Sequence, residues 1–320
     1  MEEVPVYLFT GFMDSGKTSM ILETLIDNGF ARELERVLII ACEDGDVEYT
    51  DEKLKAAHAT LKTFENEEDL TREALQSLED EIKPDAVFIE YNGTWETGKL
   101  FDEDGELFPK GWMILQHLCT VDATNFELYM QNMRVMMQEN IFHAEVVIFN
   151  RCTDSTNKTK FRSLIKAINR PAQLVYIRTD GSVDDRPEEL PYDITKSELD
   201  ITDADYCVWF EDCMEYPKKY DGKTVKFRAL VYNPTTEGKL KPGTFVPGRF
   251  AMTCCVEDIQ FLGMKAKYAD SKNIEHKSWI DITAKVKNEF AKEYHGKGPV
   301  LYPVSIEKAE KPEDELVYFN

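Results

Sequence analysis

The 320-residue sequence contains no run of about 18 apolar residues, so we expect no direct membrane insertion. The N-terminal stretch MEEVPVYLFTGF starts acidic and lacks a basic n-region and a cleavage site, which argues against a secretory signal. Cations are scarce, because 38 Lys and Arg stand against 60 Asp and Glu, and the net charge is −22. An acidic surface repels phosphodiesters, so we predict that the protein does not bind nucleic acid. The lack of a secretory signal and of a membrane-spanning run predicts a cytoplasmic location.

Cysteine is also sparse. The chain has seven cysteines, and an odd number without a secretory signal favours reduced thiols over a disulfide framework. Cys254 and Cys255 are adjacent on a predicted strand, so their side chains should point to opposite faces. We expect buried thiols here. The alternatives are a redox pair, or a metal site if Cys207, Cys213 or a histidine joins them.

The first half of the chain alternates short β-branched runs with helical patterns. Such alternation predicts an α/β fold with a mostly parallel sheet and helices on both faces. The predicted strands are Val6–Thr10, Val37–Ala41, Ala86–Glu90, Leu118–Val121, Glu145–Phe149 and Leu174–Ile177. The predicted helices are Thr18–Asn28, Glu67–Ile82, Asn125–Glu139 and Lys158–Asn169.

The second half has a different pattern. A polar stretch with Gly and Pro at 179–191 reads as a linker, and short β-like runs follow it. We therefore predict a first domain over 1–180, a linker over 181–205 and a smaller, mainly-β, OB-like barrel over 206–320. The predicted elements of the barrel are strands Cys207–Phe210, Thr224–Tyr232, Phe250–Val256 and Ser278–Val286, and a helix over Val286–Tyr294.

Residues 11–18 read GFMDSGKT, a complete match to the phosphate-loop pattern G-x-x-x-x-G-K-[ST]. Glycines allow the backbone angles and close approach that a Cβ would block, and the following N–H groups then face a phosphate. Lys17 supplies a cation to the β- and γ-phosphates, and Thr18 supplies a hydroxyl to Mg²⁺. The predicted nucleotide-binding residues of this loop are Gly11, Asp14, Ser15, Gly16, Lys17, Thr18 and Ser19.

A second carboxylate is expected near the loop. Glu90 ends a predicted strand, at the edge where ligands bind in open α/β sheets. We predict that Glu90 holds Mg²⁺ together with Thr18, and that Lys17 and Glu90 are catalytic. Gly93 follows closely, and its N–H can reach a γ-phosphate. The alternative for Glu90 is a carboxylate that caps a turn.

An acidic loop over 42–51 follows the second predicted strand. From this loop we predict Glu43 as a further metal ligand, while the alternative is a solvated turn with a helix cap near Asp51. Asp122 ends another strand, where it either positions the opposite loop or caps the helix that begins at Asn125.

With these pieces in order, residues of roughly 4–180 resemble the CobW/G3E family of P-loop GTPases. The resemblance implies a Mg²⁺-dependent GTPase that assists delivery of a metal or metal cofactor to a client. It also implies that Asn150 and Asp154 contribute to nucleotide binding. The segments that carry it are Gly11–Ser19, Glu43–Gly45, Glu90–Gly93, Val121–Ala123, Asn150–Asp154 and Asn169–Ala172.

The sequence departs from the family at two places. Its base motif reads NRCTD, with Arg151 in place of the family's lysine and Asp154 one residue late, so ATP stays open beside GTP. The family's C-x-C-C metal motif is missing, and Cys42 is the single cysteine between the phosphate loop and Glu90. Binding of zinc or another transition metal therefore stays open.

Residues of about 206–320 do not resemble the usual second domain of that family. They are similar instead to the soluble domain of an uncharacterised bacterial two-subunit permease family. The segments that carry this similarity are Tyr220–Val225, Gly248–Phe250, Thr253–Asp258 and the surroundings of Trp279.

Three functions remain open at this stage. The first is a GTP-hydrolysing switch, in which the loops Glu43–Asp51 and Gly93–Lys99 order around the nucleotide and the second domain passes the change to a metal or metalloprotein client. The second is a nucleotide-bound, non-enzymatic module that docks on a partner such as a permease complex. The third is a small-molecule kinase. An arginine that stabilises the transition state is not evident, although Arg249 is a candidate. The client and the oligomeric state stay open.

Overall fold

The computed structural model describes residues 3–101, 107–234, 243–252 and 259–319. Among these residues, no helix combines the length and the apolar character needed to cross a membrane. Cys254 and Cys255, and with them the predicted strand end at Val256, lie outside the described residues.

The chain divides into two compact units. The first unit comprises Met1–Thr156 and Ile168–Arg186, and the second comprises Asn157–Ala167 and Pro187–Asn320. Most of the segment 181–205, which the sequence analysis predicts as a linker, belongs to the second unit. So does the helical segment 157–167, which the sequence analysis assigns to the first domain.

A seven-stranded sheet forms the first unit, and all its neighbouring strands are parallel. Its strands are β1 Val4–Thr10, β2 Val37–Ala41, β3 Ala59–Thr63, β4 Ala86–Glu90, β5 Trp112–Asp122, β6 Val146–Cys152 and β7 Gln173–Arg178. The helices in this part of the sequence are α1 Lys17–Leu22, α2 Asp51–Ala56, α3 Arg72–Ile82, α4 Phe126–Asn132, α5 Arg134–Phe142 and α6 Lys158–Ile168, of which all but Ile168 groups with the second unit. The predicted parallel α/β sheet is confirmed.

The strand order is β3-β2-β4-β1-β5-β6-β7. Strands β2 and β4 are buried along their whole length, which explains why both read as continuous apolar runs. The order places β1 between β4 and β5, so that Phe9 lies opposite Glu90 and Thr10 lies opposite Cys119. The loop after β1 and the carboxyl end of β4 therefore meet at one edge of the sheet.

Eight strands form the sheet of the second unit. Strand β10 pairs with both β9 and β12, β12 pairs with β14, and β13 pairs with both β14 and β9. These pairings close a ring of five strands, as predicted for a small barrel. The elements are β8 Glu198–Asp200, α7 Tyr206–Glu215, α8 Pro217–Tyr220, β9 Thr224–Tyr232, β10 Thr244–Met252, β11 Gln260–Gly263, β12 Ala266–Lys267, β13 Trp279–Ala291, β14 Gly296–Lys308 and β15 Leu316–Tyr318.

Two predictions in this unit are wrong. The predicted strand Cys207–Phe210 lies in helix α7. The first eight residues of that helix are all buried. Its sequence therefore lacks the helical alternation of apolar and polar positions that marks a helix with one exposed face. The predicted helix over Val286–Tyr294 begins within strand β13, where burial alternates along most of the strand because successive side chains point to opposite faces of the sheet.

Candidate functional site

The phosphate loop has positive φ angles at its two glycines. Gly11 and Gly16 have φ values of 126° and 104°, in the region that glycine tolerates and other residues avoid. A Cβ on Gly11 would lie 2.1 Å from the carbonyl oxygen of Thr120 on β5. Gly16 immediately precedes α1, so the last backbone N–H groups of the loop lie at the N-terminus of that helix.

Side chains from two neighbouring strands hold the loop in place. The hydroxyls of Ser15 and Thr120 lie 2.7 Å apart, and Thr120 belongs to β5. Asn150, at the end of β6, donates its amide to the carbonyl oxygen of Ser15 over 2.7 Å. The predicted binding residue Asn150 therefore supports the loop backbone directly.

Lys17 is buried and fully engaged. Its ammonium donates to the carbonyl oxygens of Gly11 and Phe12, over 2.7 and 2.9 Å, and forms an ion pair with Glu43. The backbone N–H of Gly93 faces the Glu43 carboxylate and favours its charged form. Burial raises the pKa of Glu43, while Lys17 and the Gly93 N–H act in the opposite direction. The structure therefore places Glu43 against Lys17 and Gly93.

Thr18 and Glu90 form the second half of the site. The Thr18 hydroxyl donates to one oxygen of Glu90 over 2.6 Å, and the Tyr49 hydroxyl donates to the other over 2.6 Å. Burial, followed by the Glu90 carboxylate, raises the pKa of Tyr49 well above its ordinary value. Tyr49 therefore stays a hydrogen-bond donor, and both oxygens of the buried Glu90 have a partner.

These side chains fit Mg²⁺, which prefers oxygen ligands and commonly uses one or two carboxylates together with substrate phosphates. A hydroxyl and a carboxylate at hydrogen-bond distance, Thr18 and Glu90, offer such oxygens beside the phosphate loop. In the part of the chain that the structure describes, no group of three or more His, Cys, Asp or Glu residues is arranged to hold a metal ion. These residues therefore suit a Mg²⁺ site in which a bound phosphate supplies further oxygen ligands.

Gly93 lies directly against the phosphate loop. A Cβ on Gly93 would fall 2.2 Å from the Gly11 carbonyl oxygen and 2.8 Å from the Phe12 Cα, both backbone atoms. A real Cβ contact is essentially never shorter than 3.0 Å. A residue with a Cβ at position 93 would therefore force the two backbone segments apart, and glycine avoids this clash.

The base-motif residues point to different partners. Arg151, which has a φ of 57°, donates to Asp122 over 2.8 Å and lines the cavity at the phosphate loop. The exposed carboxylate of Asp154 pairs with Arg178 over 2.7 Å and with Arg186 over 3.1 Å. Asp122 also accepts the backbone N–H of Thr124, so it both holds the arginine and caps the turn before α4.

The remaining predicted residues lie around the same cavity. Asp14 and Ser19 are exposed and line it, as do Gly45, Asp46 and Val47 from the acidic loop. The sequence analysis missed Tyr49, Thr120 and Asn140, all of which contact predicted site residues. No local signal marks Asn140, because it follows two other polar residues, Gln138 and Glu139, on α5.

The described cysteines are Cys42, Cys119, Cys152, Cys207 and Cys213, and all five are buried thiols. Burial raises the pKa of the Cys42 thiol to about 12, so it stays protonated and unreactive at neutral pH. Arg249 is wholly buried, ion-paired with Asp203 and stacked on Trp279, all within the second unit. It therefore serves the core of that unit.

Comparison with known families divides the chain in two. Residues 5–176 match the model of the CobW/HypB/UreG nucleotide-binding domain, and residues 176–319 match that of the DUF1980 C-terminal domain. The UPF0703 protein YcgQ of Bacillus subtilis is 27% identical over 124 residues, which are 39% of this chain and 42% of that protein. The chain thus spans less than half the length of this curated relative.

Two solved structures are similar to this chain. The Zn(II)-bound YjiA GTPase from E. coli has a TM-score of 0.43 and 21% identity, over 58% of this chain and 60% of that one. The hydrogenase maturation factor HypB from Archaeoglobus fulgidus has a TM-score of 0.41 and 15% identity, over 57% of this chain and 84% of that one. The fold of this chain is assigned from its own strand order and not from these two structures.

Proposed function

The chain belongs to the CobW/HypB/UreG family of nucleotide-binding proteins, and on that premise we propose that it is a Mg²⁺-dependent GTPase that works as a nucleotide-controlled switch. One observation carries the proposal: the Lys17 ammonium and the Gly93 N–H converge on the carboxylate of Glu43. A cation and an N–H donor aimed at one point are also what the anionic oxygens of a terminal phosphate require. The Glu43 carboxylate thus stands in for a γ-phosphate.

Each residue has a defined task in this proposal. The N–H groups after Gly11 receive the β-phosphate, and Lys17 turns from Glu43 to the γ-phosphate, where it stabilises the charge that develops during hydrolysis. Gly93 donates its N–H to the same phosphate. Glu43 must therefore leave Lys17 when a triphosphate binds, which moves the acidic loop that carries it.

Thr18 and Glu90 would hold Mg²⁺, directly or through water. The ion would neutralise charge on the β- and γ-phosphate oxygens. Tyr49 keeps its hydrogen bond to Glu90 and so links the acidic loop to the metal position. This link and the Lys17–Glu43 pair support the view that the acidic loop responds to the nucleotide.

GTP is the nucleotide we propose. Asn150 already lies on the phosphate loop, and Asp154 supplies a carboxylate that can accept from N1 and N2 of guanine. The pairs with Arg178 and Arg186 support this assignment, because they hold the carboxylate in one place although it is exposed. Adenine offers no comparable pair of donors, so the same carboxylate would disfavour ATP.

The client is proposed to be a metal or a metalloprotein, in line with the family. A second candidate is a nucleotide-bound module that docks on a membrane permease complex. It is favoured by the match of residues 176–319 to the DUF1980 C-terminal domain, a domain other than the nucleotide-binding one. The two candidates differ in turnover, because a docking module needs to bind the nucleotide but does not need to hydrolyse it.

The test is phosphate release and equilibrium binding of GTP and ATP with Mg²⁺, on the intact chain. Lys17→Ala should lower GTP turnover by about a hundredfold or more, since it removes a donor to transition-state charge. Lys55→Ala, which removes an exposed lysine, is the matched control. Tight binding without turnover would favour the docking module, and phosphate transfer to a second acceptor would indicate a kinase. A folded chain that binds neither nucleotide would contradict the proposal.

A further inference from the structure

We infer that Asn140 is a positioning residue that ties the phosphate loop to the Gly93 segment and so sets the preference for a triphosphate over a diphosphate. This inference rests on the proposed function. It concerns a residue on α5 that has no part in the sequence motifs, and it starts from three hydrogen bonds of one side chain.

The Asn140 side chain is 1% exposed and uses both ends of its amide. Its oxygen accepts the backbone N–H of Gly11 over 2.9 Å. Its nitrogen donates to the carbonyl oxygen of Gly93 over 2.8 Å and to that of Met136, on its own helix, over 2.7 Å. One planar amide therefore bridges the first residue of the phosphate loop and the glycine that follows β4.

The two bridged residues have different tasks. Gly11 begins the loop that receives the β-phosphate, which a diphosphate and a triphosphate share. Gly93 directs its N–H at Glu43, the position proposed for the γ-phosphate, which only a triphosphate has. Loss of the bridge should therefore affect the two nucleotides unequally.

The phosphate loop also has anchors that do not involve Asn140. Ser15 is held by Thr120 and by Asn150. These contacts keep the loop in place when Asn140 is changed. The Gly93 backbone packs on Gly11 with no space for a Cβ, and its alignment there depends on the donor from Asn140. Loss of the Asn140 amide should therefore displace the Gly93 segment more than the phosphate loop.

Asn140 is itself fixed through its backbone. The Thr10 hydroxyl, at the end of β1, donates to the Asn140 carbonyl oxygen over 3.0 Å. Since this uses the single hydroxyl proton of Thr10, the Nε2 of His117, 2.8 Å away, must be the donor of that pair. Burial lowers the pKa of His117 to about 4, so the ring is neutral at neutral pH and keeps this arrangement.

The test compares binding of GDP and of a non-hydrolysable GTP analogue, both with Mg²⁺, to the intact chain. Asn140→Leu keeps the size of the side chain and adds no charge. We expect it to weaken binding of the analogue by about tenfold more than binding of GDP, equivalent to about 1.4 kcal/mol. A purely structural role would weaken both equally and leave the ratio of affinities unchanged.

Asn233→Leu is the matched control, because Asn233, in the second unit, is also buried and donates to two carbonyl oxygens, those of Ser271 and Ile274, over 2.8 and 2.9 Å. It touches no phosphate-loop residue in these contacts, so the ratio should stay at the wild-type value. Thr10→Val gives a second route if Asn140→Leu does not fold, and should shift the ratio in the same direction by a smaller factor.

An unchanged ratio in a folded Asn140→Leu protein, or in Thr10→Val when the first does not fold, would overturn the inference. An equal shift in Asn233→Leu would do so as well. A wild-type chain that binds neither nucleotide would instead contradict the proposed function, and this outcome is recognised before any variant is compared.

Discussion

The ammonium of Lys17 forms an ion pair with the carboxylate of Glu43, and both side chains are almost completely buried. The two residues come from different segments, because Lys17 begins α1 after the phosphate loop and Glu43 lies in the acidic loop after β2. In the proposed function a γ-phosphate takes the place of this carboxylate, so the acidic loop competes with the nucleotide for Lys17. The ion pair then lowers the affinity for the nucleotide.

Glu43→Gln should strengthen GTP binding by about tenfold, or about 1.4 kcal/mol, because it removes the charge that competes for Lys17. Titration of GTP with Mg²⁺ by calorimetry measures the effect. Glu48→Gln changes the charge of the same loop at an exposed position and should leave the affinity within about twofold. Weaker binding in Glu43→Gln would show that this carboxylate helps to hold the nucleotide or its metal.

Gly93→Ala should weaken GTP binding by at least about tenfold, since its Cβ would meet the backbone of Gly11 and Phe12. Gly98→Ala is the matched control, because a Cβ there has no atom within 4 Å. Equilibrium binding to both variants measures the difference. Equal affinities would mean that the Gly93 segment can move away from the loop at little cost.

Asp154→Asn should lower the affinity for GTP and leave that for ATP nearly unchanged, because a carboxylate is required to accept two guanine donors. A loss of about tenfold in GTP affinity is expected. Asp180→Asn, which changes an exposed carboxylate bound to Ser182 in a turn, serves as the control. A parallel loss for both nucleotides would assign Asp154 to the fold and not to base recognition.

The stability of the protein should fall as the pH drops from about 6.5 to about 4. Burial lowers the pKa of His117 from 6.5 to about 4, so in this range the unfolded chain takes up a proton that the folded chain refuses. The free energy of unfolding then decreases by about 3 kcal/mol, since one pKa unit corresponds to about 1.4 kcal/mol. Denaturant unfolding of the wild type and of His117→Gln at several pH values measures this. An identical pH dependence in the two proteins would exclude His117 as its source.

Arg162→Met should destabilise the second unit by about 3 kcal/mol, because it removes one of the two cations, Arg162 and Lys219, that pair with the buried carboxylate of Asp212. The guanidinium also pairs with Glu188 and Glu215, over 2.5 and 3.0 Å. Arg228→Met breaks a half-exposed pair with Asp281 and should cost less than about 1 kcal/mol. Thermal unfolding of both variants measures the contrast, and similar costs would contradict it.

The sequence by itself determined the features that are encoded within one continuous segment. The phosphate loop is one such feature, because the spacing of Gly11, Gly16, Lys17 and Thr18 fixes the backbone locally. The buried parallel strands are another, since β2 and β4 must be apolar on both faces and read as such. Glu90 was found in the same way, as the residue that ends an apolar run.

Only the tertiary structure decided which distant residues meet. Asn140 reaches Gly11 across 129 positions of the chain, and no local pattern encodes a hydrogen bond between two segments so far apart. The pairing of Glu43 with Lys17 likewise depends on how one loop folds over another. Burial also explains the wrong prediction for α7, because the run Tyr206–Phe210 at its start is apolar and buried and shows no helical alternation of polar and apolar residues. Local backbone preferences are written in neighbouring residues, whereas contacts between segments depend on the packing of the whole chain.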